Sequence, residues 1–138
     1  MNSVCIDNSF LINLLTGGQN ATICQEYWEG WQSQNIQIVA PYLIYYEACN
    51  VLYRMQKYQQ IPSAQAILSV ILEMDIYYYN DFQLHYQALK LAQMFQLSAA
   101  YDAHYLALAE RLNIDFYTCD KKLFNAIQQN FSNIHLVS

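Results

Sequence analysis

The sequence predicts an α/β fold: a central, mainly parallel sheet of four or five strands with helices packed on both faces. Three observations carry this expectation. Short β-prone runs alternate with longer stretches of helical periodicity along the 138 residues, which is the pattern of strand–helix–strand units. With only 3 Gly, 2 Pro and no Ser-rich linker, charge block or repeat, residues 1–138 read as a single domain. Hydrophobic residues make up 55% and charged residues 12%, which excludes a disordered chain. A chain of this length buries roughly 68% of its unfolded surface, so it folds without disulfide or metal staples.

The elements follow in order. Ser3 to Ile6 is a β-prone run ending at Asp7, and Asn8-Ser9 offers a helix cap. Phe10, Leu11, Leu14 and Leu15 then fall at helical spacing, and Gly17-Gly18 stops that helix. Thr22 can cap a second helix through Trp28 and Trp31. Gln37 to Ala40 is a strand, followed by Pro41 near a helix start. Helices are expected from Tyr42 to Tyr58 and from Ser63 to Met74, then a strand from Asp75 to Tyr79. Phe82 to Gln96 carries Leu84, Ala88, Leu91 and Phe95 along one stripe. Ser98 can cap a helix from Ala99 to Leu112. A strand from Ile114 to Thr118, a short helix from Lys121 to Gln128 and a last strand from Ile134 to Val137 complete the series.

Charge narrows the function. Six Lys and Arg stand against eleven Asp and Glu, a net −5, whereas a protein that grips nucleic acid by neutralising phosphates is normally basic. Either nucleic acid is not the ligand, or the acids sit where bound cations reverse their sign. Much of the polarity is uncharged, from 15 Gln and 11 Asn. Cys5, Cys24, Cys49 and Cys119 share no CxxC or CxxH spacing, so no zinc site is legible. They read as buried, inert thiols of a reduced cytoplasmic protein. The first residues lack a basic segment ahead of an apolar one and do not read as a signal peptide. No apolar run approaches the ~18 residues of a membrane span.

Four acids stand in apolar company. Asp7 follows Val4-Cys5-Ile6, Glu47 lies among Tyr45, Tyr46 and Ala48, Asp102 follows Ala99-Ala100-Tyr101, and Asp120 follows Tyr117-Thr118-Cys119. A carboxylate there is costly unless paired or bound to a cation, and the chain has few cations of its own. Each acid also has an ordinary structural use. Asp7 and Asp120 can cap the helices that follow them, and Asp102 favours the positive end of its helix. Glu47 has no capping role, but Glu47, Asn50 and Arg54 form one polar stripe at i, i+3 and i+7. Asp7 and Asp120 also sit just beyond predicted strands, where parallel sheets place their sites.

Four segments in this order resemble the PIN-domain family of metal-dependent ribonucleases, particularly VapC-type toxins. They are Val4-Cys5-Ile6-Asp7-Asn8-Ser9, Glu47 to Arg54, Tyr101-Asp102-Ala103-His104 to Ala109, and Phe116-Tyr117-Thr118-Cys119-Asp120-Lys121. One departure is Asn8, where many members carry Thr. The resemblance implies a three-layer α/β/α fold and an acidic pocket of Asp7, Glu47, Asp102 and Asp120 holding Mg²⁺ or Mn²⁺, with Thr118, Asn50 and Asn8 supporting the acids. It also implies an RNA substrate, met on its backbone by Arg54 and Lys121, and a cognate antitoxin as partner. A hard cation wants carboxylate oxygens and retained waters, so the residue types suit that chemistry. Clustered carboxylates without metal repel, which predicts a raised pKa for at least one of them.

Most of the 13 Tyr are expected to serve core or interface packing, and the low charged fraction predicts a homodimer. A catalytically inactive PIN-like module acting through protein or RNA contacts is the alternative. A haloacid-dehalogenase-like phosphatase is disfavoured, because it needs an acid where Ser9 stands.

Overall fold

The computed structural model describes residues 2–138. The chain begins with β1 (Ser3–Ile6), α1 (Asn8–Thr16), α2 (Ala21–Ser33) and β2 (Gln37–Pro41). It continues through α3 (Leu43–Lys57), α4 (Ala64–Glu73), β3 (Ile76–Tyr79) and α5 (Phe82–Phe95). It closes with α6 (Tyr101–Leu112), β4 (Asp115–Thr118), α7 (Lys121–Ile127) and β5 (Ile134–Leu136). The strands form one sheet in the order β3-β2-β1-β4-β5, and every pairing is parallel. Helices flank this sheet in a three-layer α/β/α arrangement, and no helix among the described residues is long and apolar enough to cross a membrane.

Parallel strands covered on both faces need continuous apolar runs rather than alternation. Val4, Cys5 and Ile6 of β1 and Ile38, Val39 and Ala40 of β2 are accordingly all buried. Helix α6 touches β1, β2 and β4 and packs along α5. Its Ala103, Ala107 and Ala109 are buried, as is Ala88 of α5. Side chains this short let the helix approach its neighbours closely, and that approach carries the first turn of α6 to the centre of the sheet's upper edge.

Helix ends account for most differences from the sequence expectations. Helix α1 begins at Asn8, and of the caps the sequence offers it is Asp7 rather than Asn8 or Ser9 that serves: the Asp7 carboxylate accepts from the Phe10 N–H at 3.1 Å. Gly17 ends α1 as expected, at φ 71°. Thr22 lies inside α2, whose cap position is Asn20; the Asn20 N–H donates to Asn13 Oδ1 at 3.4 Å and ties that start back to α1. The helix expected from Ser63 starts at Ala64 with Ser63 as its cap, and Asp120 caps α7 as expected. Ser98 caps nothing. Helix α6 starts later, at Tyr101, and Asp102 in its first turn supplies the charge that its N-terminus favours.

Of two expectations about residue classes, that for the tyrosines is narrowed and that for the cysteines is corrected. Among the tyrosines only Tyr105 is fully buried, while Tyr46, Tyr53, Tyr58, Tyr78, Tyr86 and Tyr101 are each more than half exposed. Tyr45, Tyr79 and Tyr117 pack partly buried against the core, and the exposed ones leave only the interface half of that expectation to account for them. The cysteines are not uniformly buried either: Cys49 is exposed and Cys119 half-buried.

Candidate active site

The strand order sets the position of the site. From β1 the chain lays down β2 and β3 on one side, then returns to add β4 and β5 on the other. Loops leaving β1 and β4 at their carboxyl ends diverge, which opens a crevice between them. Asp7 is the first residue after β1, and Asp120 is the second after β4. Glu47 reaches the same crevice from α3, and Asp102 from the first turn of α6. All four carboxylates line one recess of about 280 Å³, with Asn8, Ser9 and Tyr105 beside them. A wider hollow of about 1190 Å³ opens at the opposite ends of β1 and β4, but only Glu26 and Asp115 bring carboxylates to it.

Asp7 is buried, 4% exposed, and both its oxygens are held. Oδ1 accepts from Ser9 Oγ at 2.7 Å and from the Phe10 N–H. Oδ2 accepts from Thr118 Oγ1 at 2.5 Å. Thr118 Oγ1 in turn accepts from the Asp120 N–H at 3.0 Å, and Ser9 Oγ from the Cys119 N–H at 2.9 Å. Two hydroxyls therefore bolt the β4–α7 turn onto the acid that ends β1. On the other side, the Tyr105 hydroxyl donates to Glu47.

Burial shapes the electrostatics. Loss of solvation pushes the Asp7 carboxyl up to about 6; the hydrogen bonds from Ser9, Thr118 and Phe10 oppose that rise, and the charge of Asp102 adds to it. Burial also raises Glu47, against the Tyr105 hydrogen bond and with help from Asp102. Asp102 is raised by burial and then by Asp120. Raised carboxyls were expected from mutual repulsion, but desolvation is the larger cause in all three.

Thr118 is buried against Asp7, as described, and Asn8 lines the recess with its Oδ1 buried and without a hydrogen-bond partner. Asn50 is exposed on α3 and does not line the recess. Arg54 and Lys121 are likewise exposed and outside it; Arg54 borders a neighbouring hollow that shares Val51 with the recess. Sequence reasoning missed Ser9 and Tyr105. Tyr105 had a signal, since it lies three residues after Asp102 and so on the same helical face. Ser9 had none beyond its capping propensity.

No Lys or Arg lines the recess, and the ion pairs among the described residues, Arg111–Asp81 and His135–Asp115, lie elsewhere. An all-oxygen donor set with an unsatisfied amide oxygen and no counter-charge suits a hard divalent cation. Among the described residues, no three His, Cys, Asp or Glu side chains form a ready-made ligand set. A cation that keeps several of its waters and takes one or two carboxylates directly, as Mg²⁺ does, is compatible with such spacing.

A family model for the PIN domain matches residues 4–129, and the chain belongs to the PIN-domain family. Solved structures share the fold at low identity. PAE2754 from Pyrobaculum aerophilum aligns with a TM-score of 0.72 at 19% identity, over 99% of this chain and 90% of its own. A toxin-antitoxin complex from Klebsiella pneumoniae aligns with a TM-score of 0.65 at 21% identity, covering 98% of each chain. VapC20 of Mycobacterium tuberculosis, described as a sarcin-ricin loop cleaving toxin, aligns with a TM-score of 0.66 at 16% identity, over 90% of this chain and 95% of that one. No curated protein matches the chain by sequence.

Proposed function

We propose that the chain is an endoribonuclease that hydrolyses RNA phosphodiester bonds at the acidic recess with Mg²⁺ or Mn²⁺, and that it acts in the cytoplasm as a toxin neutralised by a cognate antitoxin. The observation that carries this is the convergence of Asp7, Glu47, Asp102 and Asp120 on one recess with no Lys or Arg among its described lining. Those four carboxylates would hold the metal. When bound, such a cation supplies an activated water and offsets negative charge on the phosphodiester. The chain's own residues prepare the place. Ser9 and Thr118 fix the Asp7 oxygens, Tyr105 orients Glu47, and the Asp7–Thr118–Asp120 linkage keeps the two loop acids in register. Exposed Arg54 and Lys121 would meet the RNA backbone.

The toxin role draws on the structural likeness to toxin-antitoxin chains. A protein partner is supported by Phe82, Tyr86 and Leu89, exposed by 85%, 71% and 52% at i, i+4 and i+7 of α5. No described residue covers that apolar stripe. A homodimer belongs to the same proposal.

Incubation of purified, antitoxin-free protein with a structured RNA pool tests the reading. Cleavage is expected with Mg²⁺ or Mn²⁺ and none with EDTA. Absence of cutting by folded protein, with no Mg²⁺-induced change in melting temperature, would favour the inactive binding module. Within the enzyme reading, Tyr105→Phe is expected to slow cleavage by roughly 10-fold, the lower range for losing a group that orients a metal ligand. Initial rates and circular dichroism of the variant check this, and an unchanged rate would remove Tyr105 from the site.

A further inference from the structure

The sulfurs of Cys24 and Cys119 lie 3.5 Å apart, although 95 residues separate them. Cys24 is in the first half of α2 and completely buried, whereas Cys119 is half-buried in the β4–α7 turn. Both are free thiols. A disulfide bond is about 2.05 Å long, so the sulfurs need to close by only about 1.5 Å. Position makes the pair consequential. The Cys119 N–H donates to Ser9 Oγ, which donates to Asp7, and the next residue is Asp120. The turn that bears one thiol therefore also bears Asp120, one of the four carboxylates of the acidic recess, and is hydrogen-bonded through Ser9 to a second, Asp7.

We propose that Cys24 and Cys119 are a redox-active dithiol, oxidised by hydroperoxides to a disulfide that ties the β4–α7 turn to α2. The chemistry balances with hydrogen peroxide as the two-electron oxidant. The more accessible Cys119 sulfur attacks one peroxide oxygen, the O–O bond breaks, and the departing oxygen leaves as water with the thiol proton. This gives a sulfenic acid on Cys119. The Cys24 sulfur then attacks the Cys119 sulfur. The S–S bond forms, the S–O bond breaks, and a second water leaves with the Cys24 proton. An external thiol reverses the process. In a reducing cytoplasm the resting form is the dithiol, so the bond would be transient and regulatory rather than a structural staple. Control of RNA cutting through this bond is a consequence that rests on the nuclease reading; the bond itself does not.

The test uses the full chain carrying Cys49→Ser, which removes the exposed thiol on α3 from competition. The protein is treated with hydrogen peroxide, then alkylated under denaturing conditions and weighed intact. Only Cys5 is expected to remain alkylatable, with a Cys24–Cys119 cross-linked peptide on digestion and full recovery of three thiols after dithiothreitol. Hydrogen exchange over residues 117–123 is expected to slow on oxidation and recover on reduction. Adding Cys24→Ser or Cys24→Ala should abolish both effects. Three alkylatable thiols after peroxide would overturn the proposal, as would direct conversion of Cys119 to a sulfinic acid without cross-linking. Exchange unmoved by a formed disulfide would overturn the claim that the turn is tied. None of these readouts depends on nuclease activity, so failure here and failure of the nuclease reading are distinguishable.

Discussion

Asp7→Asn is expected to lower metal-dependent RNA cleavage by about 10²- to 10³-fold and, in the same protein, to raise the melting temperature measured in EDTA. The two effects have one cause. On the proposed reading the charge of the buried Asp7 carboxylate serves a cation, and its removal would take away several kcal/mol of the electrostatic stabilisation that a bound metal provides. The fold, by contrast, carries that charge at a cost. Burial holds the carboxyl up at about 6 despite three hydrogen-bond donors. An amide has the shape of the protonated acid, so it keeps the geometry without the charge. Its oxygen, in the place of Oδ1, can still accept from the Phe10 N–H and the Ser9 hydroxyl, and the Thr118 hydroxyl can rotate to receive from its NH₂. Cleavage time courses with Mg²⁺ and thermal melts in EDTA measure the two arms. Wild-type cleavage by the variant would remove Asp7 from the site. Lost cleavage with a lowered melting temperature would instead mark Asp7 as a structural cap whose loss damages the fold.

That double role of Asp7 also shows what the sequence reveals and what it conceals. The strand positions were legible because parallel strands buried on both faces leave uninterrupted apolar runs, as in Val4-Cys5-Ile6 and Ile38-Val39-Ala40. Asp7 and Asp120 were legible as acids just after such runs. Strand order was not legible from local pattern, because it is set by long-range pairing. Yet it is the order β3-β2-β1-β4-β5 that turns two separate strand ends into one crevice. The start of α6 was misplaced because Ser98 has the chemistry of a cap while tertiary packing starts the helix three residues further on. Asn50 was grouped with Glu47 by helical spacing. The spacing is real, but the recess lies on the Val51 side of that face, and Asn50 is left in solvent. The proximity of Cys24 to Cys119 was invisible, since no local spacing encodes a contact between α2 and the β4–α7 turn.

Metal-free protein is expected to lose stability as pH rises from about 4 to about 7, the reverse of an ordinary acid-sensitive fold. Asp7 moves from an unfolded value of 3.8 to about 6 when buried. The folded state therefore binds this proton more tightly than the unfolded state. Its stabilisation is fully present below about pH 3.8 and disappears as pH climbs through about 6. A shift of that size is worth about 3 kcal/mol at most, or roughly 10 °C in melting temperature for a domain of this length. Glu47 and Asp102 are raised as well and act in the same direction. Asp81 opposes them. Arg111 lowers its carboxyl through a paired hydrogen bond, so its contribution is lost towards acid. That pair is partly exposed and contributes under about 1 kcal/mol, too little to reverse the trend above pH 4. Mg²⁺ should oppose this slope. A cation binds the ionised carboxylates of the folded state, so its stabilisation grows with pH and reaches about 2.7 kcal/mol at a hundred times its Kd. Melts from pH 4.5 to 8, in EDTA and in Mg²⁺, should diverge as pH rises, and the Asp7→Asn variant should flatten the EDTA curve. Parallel curves would mean that Mg²⁺ does not bind these carboxylates. A metal-free melting temperature that rises towards pH 7 would mean that Asp7 is ionised in the fold at little cost. The buried charge would then no longer argue for a cation in the recess.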